Sequence, residues 1–175
     1  MRSGQTTSII AAIATLIATY AFYWFSYVIG DSIYYVNGIG FIKKFLDLWT
    51  TANTNTNANK YGLPIVFYYA FLVLFTLFMV SPILMLLGVK TKWAPLIGCI
   101  MPLLIGILIF FYAFMGFFPP IIKYLGMFGD IEPLIEGIFP ITLAVEGHYE
   151  FYGAYALIIA GILSLIAGLK GPGEF

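Results

Sequence analysis

Two long apolar runs, joined by a short basic break, constrain this chain more than any other feature. They cover residues 63–87 and 93–118, and neither contains a charged residue. Each run is about 25 residues long, whereas a helix needs roughly 20 apolar residues to cross the hydrocarbon core of a bilayer. Lipid offers no partner to backbone N–H and C=O groups, so such a run must be helical. The short break at 88–92 therefore predicts an antiparallel transmembrane hairpin.

The composition of the whole chain points to the same class of protein. The chain has 175 residues, of which 62% are hydrophobic and 9% charged, and its mean hydropathy is +0.99. A soluble domain of this size needs more charged surface. The formal net charge is zero, so nothing suggests a nucleic-acid partner. The single cysteine, Cys99, excludes an internal disulfide and a cysteine-based metal cluster.

Two further apolar runs complete the predicted fold, an all-α integral membrane protein with one four-helix domain over residues 1–175. A cleavable signal peptide is the alternative interpretation of the first run, but its apolar core is usually only about 7–15 residues long. We therefore expect a retained helix there. The four predicted transmembrane helices are 8–29, 63–87, 93–118 and 149–169.

The positions of the basic residues predict the orientation of these helices. Short loops that carry Lys or Arg stay in the cytoplasm. The basic residues that favour a cytoplasmic location of their segments are Arg2, Lys90, Lys92 and Lys170. We therefore predict a multi-pass protein of the cell membrane with both termini in the cytoplasm and two outer loops.

Short interfacial helices are predicted in both outer loops. Between Gly40 and Trp49, apolar side chains fall on one helical face, while Lys43, Lys44 and Asp47 fall on the other. This separation is typical of an amphipathic helix at a membrane surface. Residues 119–147 are also partly apolar, but prolines interrupt them too often for a span. We expect this second segment to lie at the interface.

The hairpin and the last helix resemble a known family. The run LMLLGVKTKWAPLIGCIMPLLIGILI is similar to the central hairpin of the DoxX superfamily, where a leucine-rich helix end with Gly precedes a turn with Thr and basic residues. The end of the chain, HYEFYGAYALIIAGILSLIAGLKGPGEF, resembles the last helix of that family. The size and the outer loops look most like the DoxD members, the membrane subunits of archaeal thiosulfate:quinone oxidoreductases.

The resemblance implies a respiratory function. Thiosulfate would be oxidised to tetrathionate at the outer face, and the electrons would pass to a membrane quinone, which is a substrate. The implied partners are a second membrane-anchored subunit and, as a further candidate, a terminal oxidase. The alternative is a non-catalytic accessory subunit of a terminal oxidase or another membrane complex. A channel or transporter is less favoured, since such proteins usually need a charged residue at mid-membrane.

Quinone chemistry requires a proton-exchanging group and flat apolar walls, and a sulfur oxyanion requires cations. The candidate catalytic residues lie together at the start of the last predicted helix: Glu146, His148 and Glu150. The candidate quinone-binding walls are Trp24, Tyr27 and Trp49. The candidate substrate-binding cations are Lys43, Lys44, Lys60 and Lys123.

Simpler interpretations of these residues remain open. A histidine at a water-facing helix start can be merely solvated, and the lysine pair at 43–44 can belong to the polar face of a surface helix. One histidine cannot supply two axial ligands to a haem, so no haem or metal is predicted.

The predicted orientation can be tested with introduced cysteines. In a Cys99→Ala background, we expect Asn55→Cys to react with a membrane-impermeant thiol reagent added to intact cells, because residue 55 lies in the first outer loop. Lys90→Cys should not react, because residue 90 lies in the cytoplasmic turn. Reaction at position 90 without reaction at position 55 would contradict the orientation.

Overall fold

The structure is a computed structural model that describes residues 3–29, 32–50, 64–115, 129–130 and 152–171, together with positions 55, 56, 58, 59 and 62. Side chains are described for most of these residues, but not for 25–29, 32–34, 112–115, 129–130 or 152.

The described part of the chain is mostly helical, with a small sheet. The elements follow in this order: α1 Ser3–Tyr20, β1 Phe25–Ile29, β2 Ser32–Val36, α2 Gly38–Trp49, α3 Ile65–Leu87, α4 Trp93–Gly98, α5 Ile100–Met115, β3 Gly129–Asp130 and α6 Tyr152–Lys170.

Three helical segments of the described residues are long and apolar enough to cross a membrane: Ile65–Leu87, Trp93–Phe111 and Gly153–Lys170. The first two form the hairpin, for which the sequence predicts 63–87 and 93–118, and the third lies where it predicts 149–169. A turn at Cys99 separates α4 from α5. Pro102 explains this break, because it has no N–H to offer the carbonyl of Gly98, four residues earlier.

The first predicted helix, 8–29, is wrong in its bounds. Helix α1 begins at Ser3 and ends at Tyr20, and it is not among the three candidate spans. The chain continues as strand β1, which pairs antiparallel with β2, so that Phe25 lies opposite Val36 and Ile29 opposite Ser32. Strand β3 extends this sheet through Tyr35 and Val36. Residues 25–29 are aromatic or β-branched apart from Ser26, a composition that favours strands.

Helix α1 packs against α6 and α3 through small side chains. Its buried positions include Gly4, Ser8, Ala11, Thr15 and Ala18, which recur every three or four residues. Large residues of the same helix, such as Ile13 and Leu16, are exposed. A face of small residues lets helix backbones approach closely, as helices commonly do inside membranes.

Buried hydroxyl groups join the helices at these close approaches. Ser8 Oγ donates to the carbonyl of Met85 at 2.6 Å, which links α1 to α3. Ser164 Oγ donates to the carbonyl of Pro95 at 2.8 Å, which links α6 to α4. Thr15 Oγ1 donates to its own helix, at the carbonyl of Ala11. These buried hydroxyls are therefore satisfied without solvent.

Several contacts group the ends of the helices at one end of the bundle. Gln5 Nε2 donates to the carbonyl of Val89 at 3.3 Å, and Lys170 Nζ donates to Ser3 Oγ at 3.3 Å. The start of α1, the turn between α3 and α4, and the end of α6 therefore lie together. We call this the basic end, defined by Lys90, Lys92 and Lys170.

The opposite end holds the sheet, α2 and the start of α3. The main core cluster lies here and includes Trp24, Phe41, Tyr68 and Phe75. Asn37 caps α2, since its Oδ1 accepts the backbone N–H of Gly40 at 2.9 Å. We call this the aromatic end. The start of α6 also reaches it, because a Cβ at Gly153 would collide with the backbone of Tyr23.

Candidate functional site

A continuous row of aromatic rings crosses the aromatic end and carries two of the predicted quinone-binding residues. Neighbouring centroids are separated by 5.3 Å for Trp24–Phe78, 5.9 Å for Phe78–Phe75, 5.9 Å for Phe75–Phe41, 5.4 Å for Phe41–Phe45, 6.1 Å for Phe45–Trp49 and 6.2 Å for Trp49–Tyr69. Such separations are favourable for ring pairs. The row runs from the end of α1, over α3, and along α2.

Helix α2 places its rings in this row because its apolar residues share one face. Phe41 is buried and Phe45 is half-buried, whereas Lys43 and Asp47 are exposed. The helix predicted for Gly40–Trp49 is present as Gly38–Trp49. Its apolar face packs on α3 through Phe41 and Phe75.

Trp24 has a structural role in this row. Its side chain is 0% exposed, and its indole Nε1 donates to the carbonyl of Ala18 at 2.9 Å. Because α1 ends at Tyr20, that carbonyl is one of the last four in the helix, which have no partner within the helix. Trp24 therefore closes the end of α1, and its N–H is not available to a ligand.

Trp49 differs from Trp24 in the state of its indole N–H. The side chain is half-buried, and its Nε1 atom is buried with no hydrogen-bond partner among the described residues. A buried donor without an acceptor costs about 1–3 kcal/mol. The Trp49 N–H is therefore not used by the described part of the fold, and the Trp49 ring lies next to those of Phe45 and Tyr69.

The third predicted wall residue, Tyr27, lies in strand β1 opposite Tyr34. Its backbone is therefore at the aromatic end, while its side chain is outside the described part of the structure.

Two of the four predicted substrate-binding lysines are described. Lys43 is exposed and Lys44 is half-buried, and both lie on α2, one to two turns before Trp49. The other two, Lys60 and Lys123, lie outside the described residues. Helix α2 thus brings two cations and the Trp49 indole to the same end of the bundle.

The predicted catalytic residues Glu146, His148 and Glu150 also lie outside the described residues. They directly precede Tyr152, where α6 begins. Their catalytic role stays a prediction.

Sequence reasoning missed the contribution of α3 to the aromatic end. Tyr68, Leu72, Phe75 and Met79 are all buried there, at spacings of four, three and four residues. That spacing marks one helical face. It was available in the sequence, but the run is apolar on all sides, and such a helix gives little sign of which face packs inward.

No group of three His, Cys, Asp or Glu residues that could hold a metal ion occurs in the part of the chain that the structure describes. Comparison of the chain with known protein families, with curated proteins and with solved structures found no match. The DoxX resemblance therefore stays a prediction.

The different roles of the two tryptophans predict different effects of the same substitution on stability. Trp24→Phe removes the donor that satisfies Ala18, so it should lower the free energy of unfolding by about 1–3 kcal/mol more than Trp49→Phe, which removes a donor without an acceptor. The measurement is denaturant unfolding of the purified protein in detergent. A larger loss in Trp49→Phe would contradict these assignments.

Proposed function

We propose that this chain is the membrane subunit of a thiosulfate:quinone oxidoreductase. Two thiosulfate anions join through a new S–S bond to give tetrathionate and release two electrons. The quinone takes up these electrons with two protons and becomes a quinol. The proposal starts from the resemblance of residues 63–118 and 148–175 to the DoxX superfamily, and above all to its DoxD members.

The proposed location is the cell membrane, with both termini in the cytoplasm. Three described helices have the length and apolar character that a span requires. Their large apolar side chains are exposed, for example Val73 and Ile83 on α3, as suits a lipid surround. The basic end would then face the cytoplasm, as the positive-inside rule predicts, and the aromatic end would face outward.

The observation that carries the quinone part of the proposal is the buried indole N–H of Trp49. A quinone has a flat ring and two carbonyl oxygens, so it can pack against aromatic faces and accept one hydrogen bond. The rings of Phe45 and Tyr69 lie next to that of Trp49, with centroids 6.1 Å and 6.2 Å away. A quinone bound here would satisfy a donor that has no partner among the described residues.

The remaining roles follow from charge. Lys43 and Lys44 lie on the helix that carries Trp49, and a divalent oxyanion is attracted to such a pair of cations. His148 and Glu150 directly precede α6, whose start packs near Tyr23 at the aromatic end. In the proposed mechanism the lysines hold thiosulfate, and His148, with Glu150 and Glu146, exchanges protons with the bound quinone.

One observation favours the alternative, a non-catalytic accessory subunit. The buried polar residues of the described part are serines, threonines and one asparagine, and none is charged. Many proteins that move ions or electrons through a bilayer carry ionisable residues inside it. In this alternative the chain belongs to a terminal oxidase or another membrane complex, and the residues of the aromatic end do not contribute to turnover.

Thiosulfate-dependent quinone reduction by the purified native complex is the test. Trp49→Phe should raise the KM for quinone by about three- to tenfold, since a net hydrogen bond contributes roughly 0.5–1.5 kcal/mol. His148→Ala should lower kcat by about 10²-fold, as loss of an acid–base group does.

Trp93→Phe is the matched control, because Trp93 is exposed at the basic end. It should leave both constants unchanged. A complex that assembles and turns over normally with both Trp49→Phe and His148→Ala would contradict the catalytic proposal and favour the accessory role.

A further inference from the structure

We propose that the basic end of the bundle is a docking surface for the phosphate headgroups of anionic membrane lipids. This inference rests on the proposed membrane location but not on the proposed redox reaction. It therefore holds equally for a catalytic and for an accessory subunit.

Three exposed lysines converge at this end from separate parts of the chain. Lys90 and Lys92 lie in the turn between α3 and α4, and Lys170 ends α6. The contacts of Gln5 with Val89 and of Lys170 with Ser3 hold both segments against the start of α1. Two distant segments of the chain thus bring three lysines to the end of the bundle where α1 starts.

The start of α1 adds to the positive potential. A helix of this length has backbone N–H groups without intrahelical acceptors in its first turn, and its dipole makes that end electropositive. A phosphate at this position would meet both the helix end and the lysine side chains.

The two acidic residues of the described ranges lie elsewhere. Asp47 belongs to α2 and Asp130 to β3, which pairs with β2, and both elements lie at the aromatic end. No acidic side chain in the described part of the chain therefore competes with an anion for these lysines.

Exposed apolar side chains lie directly beside the lysines and favour a lipid over a free anion. Trp93 is 63% exposed and follows Lys92, whose Nζ lies 5.5 Å from the centroid of the Trp93 ring. Ile97, one turn further along, is also exposed, and Leu169, next to Lys170, is 74% exposed. A phospholipid can contact both kinds of surface, since its headgroup meets the lysines and its chains meet the apolar residues. Inorganic phosphate could use only the lysines.

The test is native mass spectrometry of the full chain in detergent, titrated with phosphatidylglycerol or with phosphatidylcholine of the same acyl chains. We expect phosphatidylglycerol to be retained at lower concentrations. Each of Lys92→Gln and Lys170→Gln should weaken its binding about fivefold, which corresponds to roughly 1 kcal/mol per lysine. Arginine at both positions should retain the binding.

Lys43→Gln is the matched control, because it removes the same charge from the opposite end. Unchanged binding in this variant supports the proposed surface, whereas an equal loss would show an effect of net charge and overturn it. Equal retention of the two lipids would also overturn it. Displacement of phosphatidylglycerol by an equal concentration of inorganic phosphate would instead identify a site for soluble anions.

Discussion

Close approach between helices, made possible by small residues, is the constraint on which the rest of this structure depends. The buried face of α1 is built from Gly, Ala, Ser and Thr, so α6 and α3 can pack directly on its backbone. At that distance Ser8 reaches the carbonyl of Met85. In a lipid environment apolar burial does not hold helices together, whereas close packing and hydrogen bonds do. A large side chain at Gly4 or Gly153 would collide with neighbouring backbone and would separate α1 from α6.

This packing also determines what lies at each end. Because α1 runs antiparallel to both neighbours, its start meets the hairpin turn and the last lysine, and its end meets α2 and the start of α3. Lys90, Lys92 and Lys170 gather at one end, and the aromatic row lies at the other. Trp24 connects the helix packing to the aromatic row, since it donates to a carbonyl in the last turn of α1 and also contacts Phe78. The proposed quinone position beside Trp49 lies at the far end of that row.

The sequence predicts the hairpin well because the charged turn and the two apolar runs beside it lead to the same structure. Burying Lys90 and Lys92 in a bilayer costs free energy, so they mark the turn. In the apolar runs on either side, a helix is needed to satisfy the backbone N–H and C=O groups within lipid. The end of α1 is mispredicted because residues 8–29 form one uncharged, mostly apolar run that does not show where the helix ends. The alternative was visible, since residues 25–29 and 32–36 are rich in aromatic and β-branched residues and flank Gly30–Asp31, a pair typical of hairpin turns. The sequence cannot distinguish the roles of Trp24 and Trp49, because both lie next to apolar segments. The difference is in the fold, which gives an acceptor to the indole N–H of Trp24 and none, among the described residues, to that of Trp49.

The most direct test of the central claim, that the aromatic end binds a quinone through Trp49, is tryptophan fluorescence of the full chain titrated with a short-chain quinone in detergent. The account predicts saturable quenching in the unaltered protein and in Trp93→Phe, and loss of most of that quenching in Trp49→Phe, because quenching requires a quinone close to the Trp49 ring. Saturable quenching that is unchanged in Trp49→Phe, or that disappears in Trp93→Phe, would contradict the claim.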